Sequence, residues 1–192
     1  MDLEKENTAT FIGHKECFGV KSEDVRTEIV KLIETGVTDF MSGGMGSFDW
    51  MCARIVYDLK KTYPQINNYL VIPYLTFAIL EEKYFDSIVY PEGFEKYHFK
   101  SAIPARNKYL VDNSAYALCY VTHGWGGAAQ TYERAVKKGL TIINLGEKQY
   151  RLTRRKTLSS VFFSSLPPKV RGICPLYYEG VFYGEYLRGN TI

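Results

Sequence analysis

The chain has 192 residues, of which 46% are hydrophobic and 23% charged, and this composition excludes a disordered polypeptide. The formal charge of +3 divides into −2 over residues 1–145 (16 basic, 18 acidic) and +5 over residues 146–192 (8 basic, 3 acidic), so the nearly neutral body argues against duplex DNA as a partner. Four scattered cysteines without a CxxC pair exclude a disulfide framework and a zinc site. No run reaches the roughly 18 apolar residues of a membrane span and no hydrophobic signal region opens the chain, so we expect a cytoplasmic protein without membrane contact.

Apolar runs alternate with helical repeats along residues 9–145. The predicted strands are, in chain order, 9–12, 39–42, 69–72, 87–90, 116–121 and 141–145. Helices are predicted from Ser22, which caps the first one, from near Ser47, weakly over 74–85, over 105–113 after an irregular aromatic loop at 91–104, and between Gly127 and Gly139. This alternation predicts an α/β domain over residues 1–145, a Rossmann-like doubly wound parallel sheet with helices on both faces.

Residues 146–192 break the alternation. A basic run at 151–156 leads into a segment rich in tyrosine, phenylalanine, proline and glycine. We expect a C-terminal aromatic and basic extension that packs on the body or on a partner subunit.

Three loops with glycine follow predicted strands, at residues 13–15, 43–46 and 124–127. Ligands of open parallel sheets bind beyond the carboxyl ends of the strands. Glycine permits a close backbone approach, and the first N–H groups of a following helix attract an anion such as phosphate. Each loop by itself is also compatible with an ordinary tight turn. No lysine followed by serine or threonine completes a phosphate-binding loop of the Walker type, which argues against an NTPase.

An ordered set of motifs resembles the YpsA-like branch of the SLOG superfamily, which also contains the DNA-processing protein DprA and the Lonely Guy phosphoribohydrolases. The motifs are TFIGHK at 10–15, SGGMGSFD at 42–49, IP at 72–73, RNKYLVD at 106–112 and GGAAQT at 126–131. The resemblance implies a Rossmann-like fold and a pocket for a nucleotide or a nucleotide-derived ligand. Two positions depart from the branch: Lys15 stands where arginine is usual and loses the bidentate fork, and Ala128 stands where threonine is usual and lacks its hydroxyl.

The same resemblance implies a catalytic pair. Lonely Guy enzymes carry an arginine on the preceding helix and a glutamate six residues beyond the second glycine of their PGGxGTxxE motif, and these positions correspond to Arg106 and Glu133. A carboxylate near the ribose would stabilise an oxocarbenium-like state while the arginine holds the phosphate. The alternative for Glu133 is a solvated position on a polar helix face. The missing proline before Gly126, and Ala129 and Gln130 in place of Gly-Thr, count against the enzyme.

Several side chains near the loops have two interpretations each. Asp49 could bind a ribose hydroxyl or cap helix N–H groups. His14 could contact phosphate or close a turn. Trp125 could stack on a base or pack against the protein. His98 and His123 lack metal-ligand spacing and are interpreted as loop residues. The candidate ligand-binding residues are Gly13, His14, Lys15, Gly43, Gly44, Gly46, Asp49, Arg106, Asn107, Trp125, Gly126, Gly127, Ala128 and Thr131.

Three functions are compatible with these observations. The first is a sensor or sequestering protein that binds a phosphorylated nucleotide-derived ligand, such as an ADP-ribose-type or cyclic nucleotide signal. The second is a phosphoribohydrolase that cleaves the N-glycosidic bond of a nucleoside monophosphate. The third is a single-stranded DNA-binding module, against which the nearly neutral body argues. We expect a homo-oligomer and no cofactor or metal.

Overall fold

The computed structural model describes residues 4–147 and 150–151. Within these residues, six strands form one sheet in which every neighbouring pair is parallel. They are β1 (Thr8–Gly13), β2 (Asp39–Ser42), β3 (Asn67–Val71), β4 (Ser87–Val89), β5 (Tyr116–Tyr120) and β6 (Thr141–Asn144). The described residues between these strands form four α-helices, α1 (Ser22–Glu34), α2 (Ser47–Leu59), α3 (Phe99–Asp112) and α4 (Gly126–Lys138). The predicted Rossmann-like α/β fold is confirmed.

The strand order is β4-β3-β2-β1-β5-β6. The chain therefore runs outward from β1 to β4 and then returns to lay β5 against the free side of β1, with Gly13 in register with Tyr120. In an open α/β sheet, the point where the order reverses leaves a crevice beyond the carboxyl ends of the two central strands. Here that crevice lies between β1 and β5.

The central strands are buried on both faces, as is typical of parallel strands. On one face, Phe11 and Leu118 pack in a cluster with residues of α1 and α2; on the other, Ile12 and Cys119 pack in a cluster with residues of α3 and α4. Helices thus cover both faces of the sheet. Within the described residues, no helix is long and apolar enough to cross a membrane.

Three local predictions are wrong. Ser22 is the first residue of α1 rather than its N-cap, and its hydroxyl bonds the Glu23 carboxylate instead of a backbone N–H. Residues 74–85 form no α-helix, only a 3₁₀ turn at Glu82–Tyr84, because their apolar side chains find no common buried face: Leu80 is 78% exposed. Helix α3 begins six residues earlier than predicted and contains Pro104, which removes one helical hydrogen bond and disguised the start.

The predicted C-terminal extension lies outside the described residues, except for Gly146, Glu147, Tyr150 and Arg151. Tyr150 is buried, and its ring packs edge-on against Tyr132 of α4 at a centroid distance of 5.2 Å. Tyr150 therefore belongs to the core of the domain.

Candidate functional site

A cavity of about 560 Å³ opens in the crevice between β1 and β5. Gly13 ends β1, Gly43 follows β2, and Gly127 lies in the first turn of α4 after β5; all three line this cavity. The three glycine loops therefore share one site, because the carboxyl ends of β2, β1 and β5 lie side by side. Most of the predicted ligand-binding residues line the cavity, namely Gly13, His14, Lys15, Gly43, Asp49, Arg106, Asn107, Trp125, Gly126, Gly127, Ala128 and Thr131.

Gly44 and Gly46 do not line the cavity and have structural roles instead. Gly44 has φ of +64°, a conformation that favours glycine, and a Cβ there would lie 2.8 Å from Cδ1 of Leu70. A Cβ at Gly46 would lie 3.1 Å from the carbonyl oxygen of His14. The small residue lets the second glycine loop approach the first, so that the Ser47 N–H donates to the carbonyl of Lys15 at 2.9 Å. These two glycines shape the site without forming its wall.

Arg106 brings a buried positive charge to the cavity from α3. The side chain is only 2% exposed. Nη1 donates to the carbonyls of Gly43 and of Val71, the latter at 3.3 Å, and Nε donates to Oδ1 of Asn107 at 2.9 Å. Within the described part of the chain Nη2 donates to no protein atom, which leaves it for a ligand. Burial lowers the pKa of Arg106, against the nearby Asp49 carboxylate, which raises it.

Gly43 is the residue that makes room for this guanidinium. A Cβ at Gly43 would lie 2.5 Å from Cζ of Arg106, closer than real side-chain contacts allow. The arginine can therefore reach the carbonyl of Gly43 only because that residue has no side chain. The two motifs that carry these residues are physically coupled across 63 positions of sequence.

Asp49 is a carboxyl group in the cavity wall. It is 9% exposed, in the first turn of α2, and its Oδ2 accepts the N–H of Met45 at 3.1 Å. Burial raises the pKa of this carboxyl, whereas the hydrogen bond from the Met45 N–H and the positive charge of Arg106 lower it. The hydrogen bond from Met45 also shows that Asp49 holds the second glycine loop, in addition to lining the cavity.

Among the described residues, the N-terminus of α4 has no side-chain cap. Trp125 occupies the N-cap position, where its side chain makes no hydrogen bond to the first turn. Gly126, with φ of +86°, Gly127 and Ala128 follow, and all three line the cavity. The Thr131 hydroxyl donates to the carbonyl of Gly127 at 2.7 Å, so it is engaged within the helix. An uncapped helix N-terminus that faces a cavity is favourable for an anion.

Glu133 lies at a different surface. It lines a separate depression together with neighbours from the same helix, Gln130, Arg134, Lys137 and Lys138. Because successive helical residues turn by about 100°, a position six residues beyond Gly127 lies about 240° around α4 from it. The structure does not bring Glu133 together with Arg106, and the carboxyl groups that line the cavity with Arg106 are those of Glu16 and Asp49.

No protein-family model and no curated protein matches the chain. Solved structures that match in fold include two DprA proteins. DprA from Streptococcus pneumoniae aligns with a TM-score of 0.54 and 18% identity over 74% of this chain and 51% of its own. DprA from Helicobacter pylori, described for its mode of single-stranded DNA binding, aligns with a TM-score of 0.53 and 16% identity over 74% of this chain and 66% of its own.

The chain is similar to DprA in fold. Because both identities are below 20%, the similarity covers the fold alone. The chain spans between half and two thirds of the length of these two proteins.

The sequence reasoning missed several residues of the cavity wall, and His123 is the most consequential. His123 lies in the loop between β5 and α4, as predicted, and its ring also lies between those of His14 and Trp125. The sequence shows that both histidines closely follow predicted strands. It does not show that β1 and β5 are neighbours in the sheet, and this adjacency is what brings the two rings into contact. The other missed lining residues are Phe11, Ile12, Glu16, Phe18, Met45, Ile103 and Leu110.

Proposed function

We propose that the cavity binds a phosphorylated nucleotide-derived ligand, such as an ADP-ribose-type or cyclic nucleotide signal, and that the protein acts as its sensor or sequestering protein. One observation carries the proposal: turns from three strand ends line a single cavity together with the buried Arg106, whose Nη2 makes no hydrogen bond within the described part of the chain. Uncapped amides of α4 and the side chain of Lys15 add further groups that attract an anion.

The remaining wall suits the rest of a nucleotide. A volume of about 560 Å³ lies within the range of roughly 300–1,000 Å³ that small-molecule sites occupy. Ile103 and Leu110 contribute apolar surface, and Asp49 contributes a carboxyl group of the kind that binds ribose hydroxyls. Apolar walls with a few placed polar groups are typical of ligand pockets.

Gly127→Asp tests the proposal without threatening the fold. A Cβ at Gly127 meets no other atom within 4 Å, and an acidic residue in the first turn of a helix is favourable for stability. The new carboxylate would repel an anionic ligand. In titration calorimetry with AMP and ADP-ribose, we expect Gly127→Asp to weaken binding at least tenfold.

Gly124→Asp is the matched control. Gly124 also has open space around a Cβ but does not line the cavity, so its affinity should stay within about twofold of wild type. Equal weakening in both variants would point to a nonspecific charge effect. The absence of binding by every nucleotide tried would refute the proposal.

Single-stranded DNA binding is a second candidate, favoured by the similarity to the Helicobacter pylori protein. A titration of labelled single-stranded DNA at two salt concentrations tests it, because phosphate contacts weaken steeply with salt. Binding of DNA that resists Gly127→Asp would favour a surface other than the cavity. The phosphoribohydrolase has less support, since Arg106 and Glu133 line different cavities. If the protein released adenine from AMP and Glu133→Gln abolished this release, the phosphoribohydrolase would be supported.

A further inference from the structure

Three aromatic rings form a column at the cavity wall. The rings of His14 and His123 are stacked with a centroid distance of 3.7 Å and an interplanar angle of 17°. Trp125 stacks on the other face of His123, at 3.9 Å and 18°. The column joins the loop after β1 to the loop after β5, so it spans the crevice where the strand order reverses.

The inner end of the column is anchored. Nε2 of His14 accepts the backbone N–H of Thr122 at 3.2 Å, which fixes the orientation of the ring. Burial and the neighbouring His123 lower the pKa of His14 to about 4, so the ring is neutral at physiological pH. Because Nε2 accepts this hydrogen bond, the proton of the neutral imidazole is on Nδ1. His14 therefore adds no charge to the stack.

The outer end of the column is open. Trp125 is 59% exposed although one of its faces lies against His123, so its other face is available to a partner. It also lines the cavity and immediately precedes the uncapped amides of α4. A tryptophan with a purely packing role would bury both faces; this one presents a flat aromatic surface next to an anion site.

We propose that the nucleobase of the ligand stacks on the outer face of Trp125 as the fourth layer of the column, while its phosphate binds the first-turn amides of α4. The inference rests on the proposed function and narrows the ligand to one with an aromatic base. A purine has the larger stacking surface and is preferred. Stacking of a base on an aromatic side chain strengthens binding by about 5- to 150-fold.

Affinities of ligands with and without a base test this inference. Titration calorimetry with AMP, ADP-ribose and ribose 5-phosphate compares them on the same chain. In Trp125→Ala the dissociation constants of AMP and ADP-ribose should rise by about 5- to 150-fold, whereas that of ribose 5-phosphate should stay within about twofold. Trp125→Phe should recover part of the loss. Tyr57 is an exposed aromatic residue that does not line the cavity, so Tyr57→Ala should change none of the three dissociation constants.

Fluorescence supplies a second readout. The chain has two tryptophans, and Trp50→Phe leaves Trp125 as the sole one. AMP should quench its emission, and ribose 5-phosphate should bind without quenching it. If AMP binds equally well to Trp125→Ala and does not quench, the stacking platform is refuted while the anion site stands. If none of the three compounds binds, the proposed function falls together with this inference.

Discussion

The contact between Gly43 and Arg106 is the most stringent point of the site, and Gly43→Ala probes it directly. The backbone of Gly43 has no positive φ, so alanine introduces no conformational strain there, and the three atoms nearest to an added Cβ all belong to the guanidinium. The added methyl would lie 2.5 Å from Cζ and 2.9 Å from Nη2 of Arg106. Overpacking of this kind costs about 1–3 kcal/mol, and loss of a hydrogen bond from a buried charge about 1.5–3 kcal/mol. Because displacement of the arginine relieves part of the clash, we expect about 2–4 kcal/mol in total.

Urea denaturation of a double-mutant cycle measures this coupling. Gly43→Ala should lower the free energy of unfolding by the stated amount in the wild-type background and by less than about 1 kcal/mol in Arg106→Met. Gly124→Ala is the control, since a Cβ there meets no atom within 4 Å. The reasoning fails if Gly43→Ala costs the same in both backgrounds, or no more than Gly124→Ala.

Three further predictions concern the same domain. Gly13→Ala should destabilise the fold by about 1–3 kcal/mol in thermal or urea unfolding, because its methyl would lie 2.5 Å from the Cβ of Phe48, which cannot rotate away; no measurable loss would contradict this. The lowered pKa of His14, about 4, means that the unfolded chain takes up a proton as pH falls from 6.5 while the folded chain does not, so stability declines between pH 6.5 and 4. A pKa shift of this size corresponds to a loss of about 3 kcal/mol in the free energy of unfolding, and because the ring is partly solvated we expect about 1–2 kcal/mol. The decline with falling pH should therefore be shallower in His14→Asn, and an unchanged pH slope in that variant would refute the prediction. Asp112→Asn removes the negative charge and one of the two oxygens that accept from Nη2 of Arg134, at 2.8 and 2.9 Å, and should cost about 0.5–1 kcal/mol at low salt. A cost that high salt does not reduce would exclude an ionic origin.

The sequence could predict much of the site because glycine and hydrophobic periodicity act locally. A continuous apolar run indicates a strand buried on both faces, and the glycine loops were found because they follow such runs. Twelve of the fourteen candidate ligand-binding residues line the cavity. Helical arithmetic alone would have separated Glu133 from Gly127, since six residues turn the helix by about 240°.

The amino-acid sequence determines whether most segments form a strand or a helix, because this depends on the spacing of apolar side chains along a few neighbouring residues. The tertiary structure alone decided which strand ends meet. Only the return of β5 to the side of β1 brings His14 and His123 into a stack, and only the packing of α3 over the end of β2 turns Arg106 toward Gly43. Contacts between residues this far apart in the chain depend on the order of strands in the sheet, which no local pattern encodes.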